Sequence, residues 1–346
     1  MTSELYQIDF HRKKVRNRNV FVLSLLSILI FISFIISMNT GYTKLAPMDL
    51  FRVLTGSGSA KENLIFFDFR LPRIIISMLV GMGLALSGCI IQGVSKNPLA
   101  DSGLLGINSG AGIMVVIFVV ASGAQSLFSI FTLPILAFIG AGITAFLIYI
   151  LSYKKREGIK PLRLILNGVA IQAAISAVMT LIVVVIDERK FEFVATWQAG
   201  SIWGSNWKLV LAALPWIIFF VPYIIRKGRI LDILTLGDNM ACGLGVQVER
   251  ERLKLLVSAV ALAATSVSIG GSINFVGMIA PHLGRQIVGP SHKTLLPTCA
   301  LIGALLVSIS DTIARGIAQP SEIPTGIVVA VIGAPYFLYL LIKNKK

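Results

Sequence analysis

The residues of this sequence that could bind a metal or attack a substrate are few and far apart. Cys89, Cys242 and Cys299 have no metal-ligand spacing and lie within or beside apolar runs, as is typical of reduced thiols in a protein interior. His282 is a lone histidine beside Pro281, which favours a structural role. The sequence has no glycine-rich phosphate loop, no His-Glu-x-x-His motif and no plausible Ser-His-Asp constellation. We therefore expect no catalytic residue, no metal site and no cofactor. If the protein moves a solute uphill, the energy must come from a partner.

Three arginines could recognise a charged partner. Arg70 and Arg73 flank Leu71-Pro72 just before a long apolar run, and Arg315 follows Asp311 by one helical turn. A guanidinium group holds a carboxylate with directed, often bidentate hydrogen bonds. Two simpler interpretations stay open. Each side chain could snorkel from the end of a membrane span, and Arg315 could pair with Asp311 at i−4.

Amide side chains interrupt several of the apolar runs, at Gln92, Asn108, Asn167, Gln172 and Asn274. They could form hydrogen bonds between helices that pack through small residues, or they could line a polar pathway. Ionisable residues are nearly absent from the interiors of the same runs. Since ion-coupled carriers usually place such groups at mid-membrane, a proton relay is not indicated.

The elements that must position these residues are membrane-spanning helices. The chain has 346 residues, of which 55% are apolar and 14% charged, whereas soluble proteins carry about 25% charged residues. A helix crosses a bilayer with about 20 apolar residues, so we predict an all-α integral membrane protein with about ten spans. This composition excludes a soluble enzyme and a disulfide scaffold. The expected limits of the spans are 20–38, 74–94, 103–121, 129–151, 164–186, 209–225, 255–273, 276–290, 294–312 and 323–342.

The basic residues set the orientation of these spans. With ten spans and a cytoplasmic N-terminus, 22 of the 31 Lys and Arg residues lie inside, and the number falls to 18 if 276–290 does not cross. Cytoplasmic loops are enriched in Lys and Arg, which favours ten spans with both termini inside and explains the net charge of +15 without a nucleic-acid partner. We expect a basic cytoplasmic segment at 1–19 and a single polytopic membrane domain at 20–346. Spans 2–5 and 7–10 run in opposite directions, so they could form an inverted repeat.

The largest cytoplasmic loop, at 226–254, is expected to be a docking surface. Apolar residues recur in it at helical spacing, Asp238 after Gly237 marks a helix start, and Gly245 marks a stop. Two short helices separated by a glycine turn would present an apolar face to a partner. An amphipathic loop that skims the membrane is the alternative.

From Arg70 to the C-terminus, the sequence resembles the FecCD family of membrane permeases, which belong to ABC importers for ferric siderophores, haem and cobalamin. The matching segments follow the family's order, and only residues 1–60 carry no distinctive motif. The segments are Arg70-Leu71-Pro72-Arg73, Asn97-Pro98-Leu99-Ala100 through Gly106, Asn108-Ser109-Gly110-Ala111-Gly112, Leu236-Gly237-Asp238 through Gly245, Gly270 to Gly277 with Ile279-Ala280-Pro281-His282, Asp311-Thr312-Ile313-Ala314-Arg315, and Glu322-Ile323-Pro324-Thr325-Gly326 with Gly333-Ala334-Pro335.

The resemblance implies an assembly in the bacterial plasma membrane. This chain would pair with a second permease subunit around a central pathway, with two cytoplasmic ABC ATPase subunits below and an external substrate-binding protein above. Membrane lipid would surround the permease subunits. The cargo implied is a ferric siderophore; haem or cobalamin import by the same family, a stand-alone secondary carrier and a multi-span membrane enzyme are the alternatives.

The resemblance also implies roles for particular residues. Arg70, Arg73 and Arg315 would bind acidic groups of the binding protein on the outer face. The segment 231–249 would hold paired coupling helices seated in a cleft of the ATPase. Its implied contact and turn residues are Gly237, Asp238, Met240, Ala241, Leu244 and Gly245.

Overall fold

A computed structural model describes residues 2–41, 52–53, 55–121, 132–155, 158–202, 204–318 and 321–343. This part of the chain is almost entirely helical, as the apolar runs predict. Residues 122–131, which include the start of the fourth expected span, and the C-terminal residues 344–346 lie outside the described residues.

The helices follow the expected spans with a few changes. A π-helical segment, Leu64–Arg70, leads into the helix Leu71–Ser95, and a 3-10 turn, Ser102–Leu105, precedes the helix Ile107–Ala121. The strands Tyr153–Lys154 (β1) and Gly158–Ile159 (β2) pair antiparallel. The α-helices are α1 Thr2–Asn39, α2 Ala60–Asn63, α3 Leu71–Ser95, α4 Ile107–Ala121, α5 Thr132–Ser152, α6 Pro161–Val183, α7 Glu188–Gln198, α8 Trp207–Arg226, α9 Gly228–Thr235, α10 Asp238–Gly243, α11 Val248–Gly270, α12 Val276–Val288, α13 His292–Ile317 and α14 Thr325–Lys343.

The first helix is longer than the sequence predicts. Residues 2–39 contain neither proline nor glycine, so nothing in the chain breaks the helix between the basic residues and the first apolar run. The expected basic segment at 1–19 and the expected span at 20–38 are therefore one continuous helix over the described residues.

Helix α3 lies at the centre of the bundle and is buried along most of its length. It packs on α11, α12 and α13, and glycines permit the closest approaches. A Cβ atom added at Gly81 would strike the backbone carbonyl of Gly303 in α13, and one added at Gly88 would strike the backbone of Gly277 in α12. Small residues at crossings of this kind allow helices to pack without a hydrophobic driving force between them.

Seven helices of the described chain are long and apolar enough to cross a membrane, and α4 and α14 are shorter apolar helices. The expected span 276–290 corresponds to α12, which has only 13 residues. Residues 271–275 precede it in non-helical form, because Gly271 at φ 67° and Phe275 at φ 70° break the helix.

Contacts at the end of α12 indicate where this short helix leads. The backbone N–H of His292 donates to Asp232 Oδ1 in α9 at 2.8 Å, and Arg18 in α1 donates to the carbonyl of Val288 at 3.4 Å. The start of α13 therefore lies at the same end of the bundle as the 226–254 loop. Helix α11 starts at this end and runs to the other, so α12 together with residues 271–275 must return the chain before α13 begins. Ten spans require this return crossing, and the count of ten stays a prediction.

Candidate functional site: a buried arginine cluster and a short-helix surface

The three predicted arginines meet at the end of the bundle opposite the 226–254 loop. Arg73 donates from Nη2 to Asp311 Oδ1 at 2.9 Å and from Nη1 to Glu322 Oε2 at 2.7 Å. Arg315 donates from Nε to Asp311 Oδ2 at 3.1 Å, and Arg70 donates to the carbonyl oxygen of Met38. The sequence motifs thus converge in space, although 238 residues separate Arg73 from Asp311.

The π-helical segment and the proline after it position Arg70 and Arg73. A π-helix shifts the register of the side chains and often occurs at functional sites. Pro72 lies in the first turn of α3, where its fixed φ of about −65° suits a helix. This arrangement directs Arg70 towards the end of α1 and Arg73 towards α13.

The cluster is mostly buried, which the sequence did not indicate. The exposed fractions are 6% for Arg70, 5% for Arg315 and 0% for Asp311. Arg315 also donates to the carbonyls of Thr40 at 2.9 Å and Ser37 at 3.3 Å. Arg315 is therefore paired with Asp311 at i−4, as one of the simpler interpretations held, and it fastens α13 to the end of α1.

Arg73 and Glu322 form the outer edge of the cluster. Their side chains are 12% and 36% exposed, whereas the Asp311 side chain is 1% exposed. Glu322 belongs to one of the family-like segments, but the sequence indicates no role for it. A partner that offers a carboxylate would reach Arg73 first and would compete with Glu322 for it.

At the opposite end, α9 and α10 form the two short helices that the 226–254 loop predicts. Gly237 joins them at φ 112° and Gly245 follows at φ 82°, conformations that residues with a Cβ rarely adopt. Leu236, Met240 and Leu244 are 56%, 60% and 62% exposed. This apolar surface, formed by these three side chains, is referred to below as the short-helix surface.

Ala241 does not belong to that surface. The family resemblance implies apolar contact between Ala241 and a partner, but the exposed fraction of Ala241 is 0%. It follows Met240 on α10, and the 100° step between neighbouring residues turns it towards the bundle while Met240 faces outward. Ala241 therefore packs the helix onto the protein from within.

Asp238 fixes the start of α10 through two cations. Its carboxylate accepts from Arg252 Nη2 at 2.8 Å and lies 3.6 Å from Lys96 Nζ. Partial burial opposes ionisation, but these two cations outweigh it and lower the pKa of Asp238 below its usual value. Arg252 is 1% exposed and also donates to the carbonyl of Ile159 at 3.0 Å, so it ties α10 to α11 and β2.

A link between the short helices and α13 is not predicted by the sequence. Asp232 in α9 accepts from the backbone N–H of His292 at 2.8 Å and lies 2.7 Å from His292 Nδ1. Its second oxygen accepts from the Ser291 hydroxyl at 3.2 Å. No sequence signal joins residues 60 positions apart.

Four of the five predicted pathway amides make hydrogen bonds to another segment of the protein. Gln92 is 3% exposed and donates to the carbonyl of Gly277 at 3.1 Å, and Asn167 donates to Ser152 Oγ at 3.0 Å. Both therefore join neighbouring segments by hydrogen bonds. Asn108 donates to Asn274 Oδ1 at 2.9 Å, which links the start of α4 to the loop before α12. Asn274 is exposed and Gln172 is partly exposed on α6.

His282 has protein neighbours that suit a structural role. Its Nε2 lies 2.9 Å from Gln286 Nε2, and its ring meets the Tyr336 ring edge-on at a centroid distance of 5.8 Å. The first contact lies within α12, and the ring contact joins α12 to α14.

A bundle of apolar helices with a charged cluster at one end and a short-helix surface at the other defines a polytopic membrane permease. The chain belongs to the FecCD transport family, whose model matches residues 28–343. It is accordingly a transport subunit of ABC importers in the plasma membrane and is not itself an enzyme; this class works with ATPase and substrate-binding partners.

Relatives and a solved structure agree with this membership over nearly the whole chain. The permease protein of the iron(3+)-hydroxamate import system of Bacillus subtilis strain 168 is 46% identical over 96% of this chain and 99% of its own length. An iron-uptake system permease of the same organism is 38% identical over 90% of this chain and 94% of its own. The structure of a metal-chelate type ABC transporter in an inward-facing conformation superposes with a TM-score of 0.82 at 31% identity, covering 93% of this chain and 99% of that one.

Proposed function

We propose that this chain imports a ferric siderophore, with a hydroxamate as the first candidate cargo. The observation that supports this cargo is the similarity, over almost the full length of both chains, to the permease named for iron(3+)-hydroxamate import. A ferric chelate carries its own iron ligands, so the permease needs to supply a pathway and no metal site. Residues 20–346 would form the single permease domain, with a coupling loop at 226–254.

The outer step of the proposed cycle is docking of a loaded binding protein. Arg73 is the contact residue in this proposal, since it is the arginine at the edge of the cluster. Arg70 and Arg315 lie inside the cluster and donate hydrogen bonds to backbone carbonyls at the end of α1. The incoming carboxylate would replace Glu322 on the Arg73 guanidinium, so that docking exchanges one charge-assisted pair for another.

The inner step is coupling to the ATPase through the short-helix surface. Met240 and Leu244 would enter the ATPase cleft, and Gly237 and Gly245 would supply the turns that present them. Ala241 and Asp238 would support α10 from the permease side. Movement of this surface would tilt the spans and alternate access between the two sides of the membrane.

A second permease subunit would complete the pathway. Helix α6 supports this part of the proposal because it exposes a row of small residues, Ala170, Ala173, Ala174 and Ala177. Small residues permit close approach of a neighbouring helix. Gln172, on the same helix, would then lie near the shared pathway, together with Asn108 and Asn274 at the start of α4 and α12.

The cargo is tested by uptake in cells that lack only this gene. Labelled ferric hydroxamate, ferric catecholate, ferric citrate, haem and cobalamin are offered separately under iron limitation, with a complemented strain as control. We expect loss of ferric hydroxamate uptake and its recovery on complementation. Loss of only haem or cobalamin would overturn the cargo and keep the family.

A further inference from the structure

A deep apolar groove opens between α5, α8 and α11. Its volume is about 540 Å³, which lies within the usual range of ligand pockets. It stands apart from the arginine cluster and from the short-helix surface. Its lining residues from α5 and α8 include Phe138, Gly142, Tyr149, Trp216 and Phe220, and those from α11 include Leu253 and Val257.

The wall of the groove suits a hydrocarbon chain. The Phe138 and Trp216 rings lie 4.9 Å apart, and Trp216 stacks on Phe220 at 6.1 Å. Gly142, one turn along α5 from Phe138, leaves a gap in the wall, because a Cβ atom added there would meet nothing within 4 Å. Val257 is 54% exposed at the mouth, so the groove opens sideways towards the bilayer.

The cytoplasmic end of the groove carries cations on two helices. On α11, Arg250 and Lys254 share a face with Leu253 and Val257, since residues three and four apart lie on one side of a helix. Both cations are exposed. The apolar lining therefore continues directly into positive charge where the helix reaches the membrane surface.

A further cation, Lys227, lies directly after the end of α8. Lys227 lies one turn beyond Tyr223, with its Nζ 5.8 Å from the centre of the Tyr223 ring. Lys227 and Lys254 share a single carboxylate, that of Glu251, at 2.6 Å and 3.1 Å. Glu249 lies near the groove-lining Tyr149 and adds a second negative charge. With Arg250 as a third cation, the three cations still exceed the two carboxylates by one positive charge at this end of the groove.

We propose that the groove binds one acyl chain of an anionic phospholipid from the inner leaflet, with the headgroup phosphate held by Arg250 and Lys254. The length of the groove along three helices and its aromatic wall suit the chain, and the cations suit the phosphate. A second copy of this chain is a poorer occupant, because close helix packing needs small residues and these lie on α6, whereas this wall is aromatic.

The proposal is tested on the purified, delipidated importer complex with phosphatidylglycerol and phosphatidylcholine as probes. Bound lipid is counted by native mass spectrometry, and the apparent Kd is measured for each lipid. We expect tighter binding of phosphatidylglycerol. Arg250→Gln and Lys254→Gln should each weaken it by about fivefold, the effect of about 1 kcal/mol per cation near a membrane surface. Lys208→Gln, at the opposite end of α8, is the matched control and should leave it unchanged.

A filling variant tests the groove itself. Gly142→Leu places a side chain in the gap, where its Cβ meets no atom within 4 Å, and should abolish the bound lipid. Ile143→Phe adds bulk to the neighbouring exposed face of α5 and should not. Circular dichroism and complex assembly confirm that both variants fold. Equal affinity for the two lipids, or unchanged phosphatidylglycerol binding by Gly142→Leu, would overturn the proposal, as would a protein cross-link from Gly142→Cys to another subunit. Since no readout requires transport, the result is independent of the cargo.

Discussion

A single carboxylate organises the outer end of this protein. Asp311 lies between Arg73 and Arg315 and also accepts from the Thr325 hydroxyl at 3.1 Å. Removing one partner of a buried ion pair costs about 3–5 kcal/mol, because the other charge is left without compensation. Substitutions at Asp311, Arg70 or Arg315 therefore test stability as much as docking. Arg73 also pairs with the buried Asp311, so its substitution needs a stability measurement beside it, whereas Glu322 is 36% exposed at the edge.

Opposite effects are expected from the two edge residues. Arg73→Gln should weaken binding of the substrate-binding protein by about tenfold or more, since charged hydrogen bonds contribute about 1.5–3 kcal/mol. Glu322→Gln removes the internal competitor and should leave binding equal or tighter. Affinity is measured with the purified complex, and thermal unfolding checks stability. Lys208→Gln, another outer cation, serves as control. Wild-type affinity in Arg73→Gln would remove Arg73 from the docking surface.

At the scale of elements, the two short helices depend on backbone conformation. Gly237→Val should leave the complex assembled but reduce solute-stimulated ATP hydrolysis, because valine is strained at φ 112°. Gly243→Val is the matched control: an added Cβ meets nothing within 4 Å at either glycine, but only Gly237 has a positive φ. Equal activity of the two variants would count against the coupling role of the turn.

Helix α13 connects the two ends of the molecule. Its first residues are bound to Asp232 of α9, and its last turns carry Asp311 and Arg315. A rigid helix with fixed contacts at both ends can carry a displacement from one side of the membrane to the other. We infer that Asp232 positions α13 relative to the short-helix surface.

Loss of this link should uncouple the two ends. Asp232→Ala removes the acceptor for His292 and Ser291 and should lower the stimulation of ATP hydrolysis by the binding protein about 2- to 30-fold, which corresponds to about 0.5–2 kcal/mol of coupling. Basal hydrolysis and complex assembly are recorded in parallel. Arg229→Ala, an exposed residue of the same helix, is the control. Full stimulation in Asp232→Ala would show that α9 and α13 move independently.

For the whole molecule, the number of spans depends on α12. Lys293 is exposed just after it, and ten spans place this residue in the cytoplasm. In a Cys242→Ser background, Lys293→Cys should react with a membrane-impermeant maleimide only after the cells are permeabilised. Lys208→Cys should react in intact cells. Labelling of Lys293→Cys from outside would reduce the count to nine.

Local patterns determined what could be predicted from the sequence. The apolar runs placed the spans, and the glycines around Asp238 placed α9 and α10, because both signals lie within a few residues of one another. The salt bridge from Arg73 to Asp311, the link from Asp232 to His292 and the burial of Ala241 depend on contacts between distant segments or on the rotation of one helix. The short α12 depends on a positive φ at Phe275, which no residue type at that position indicates.

The measurement that tests the account most directly is uptake of labelled ferric hydroxamate into proteoliposomes that hold the reconstituted complex. Four conditions are compared: the full system, no ATP inside, no substrate-binding protein outside, and permease without ATPase subunits. We predict uptake in the full system alone. Uptake that persists without ATP or without the ATPase subunits would contradict the account, because the permease would then be a carrier in its own right.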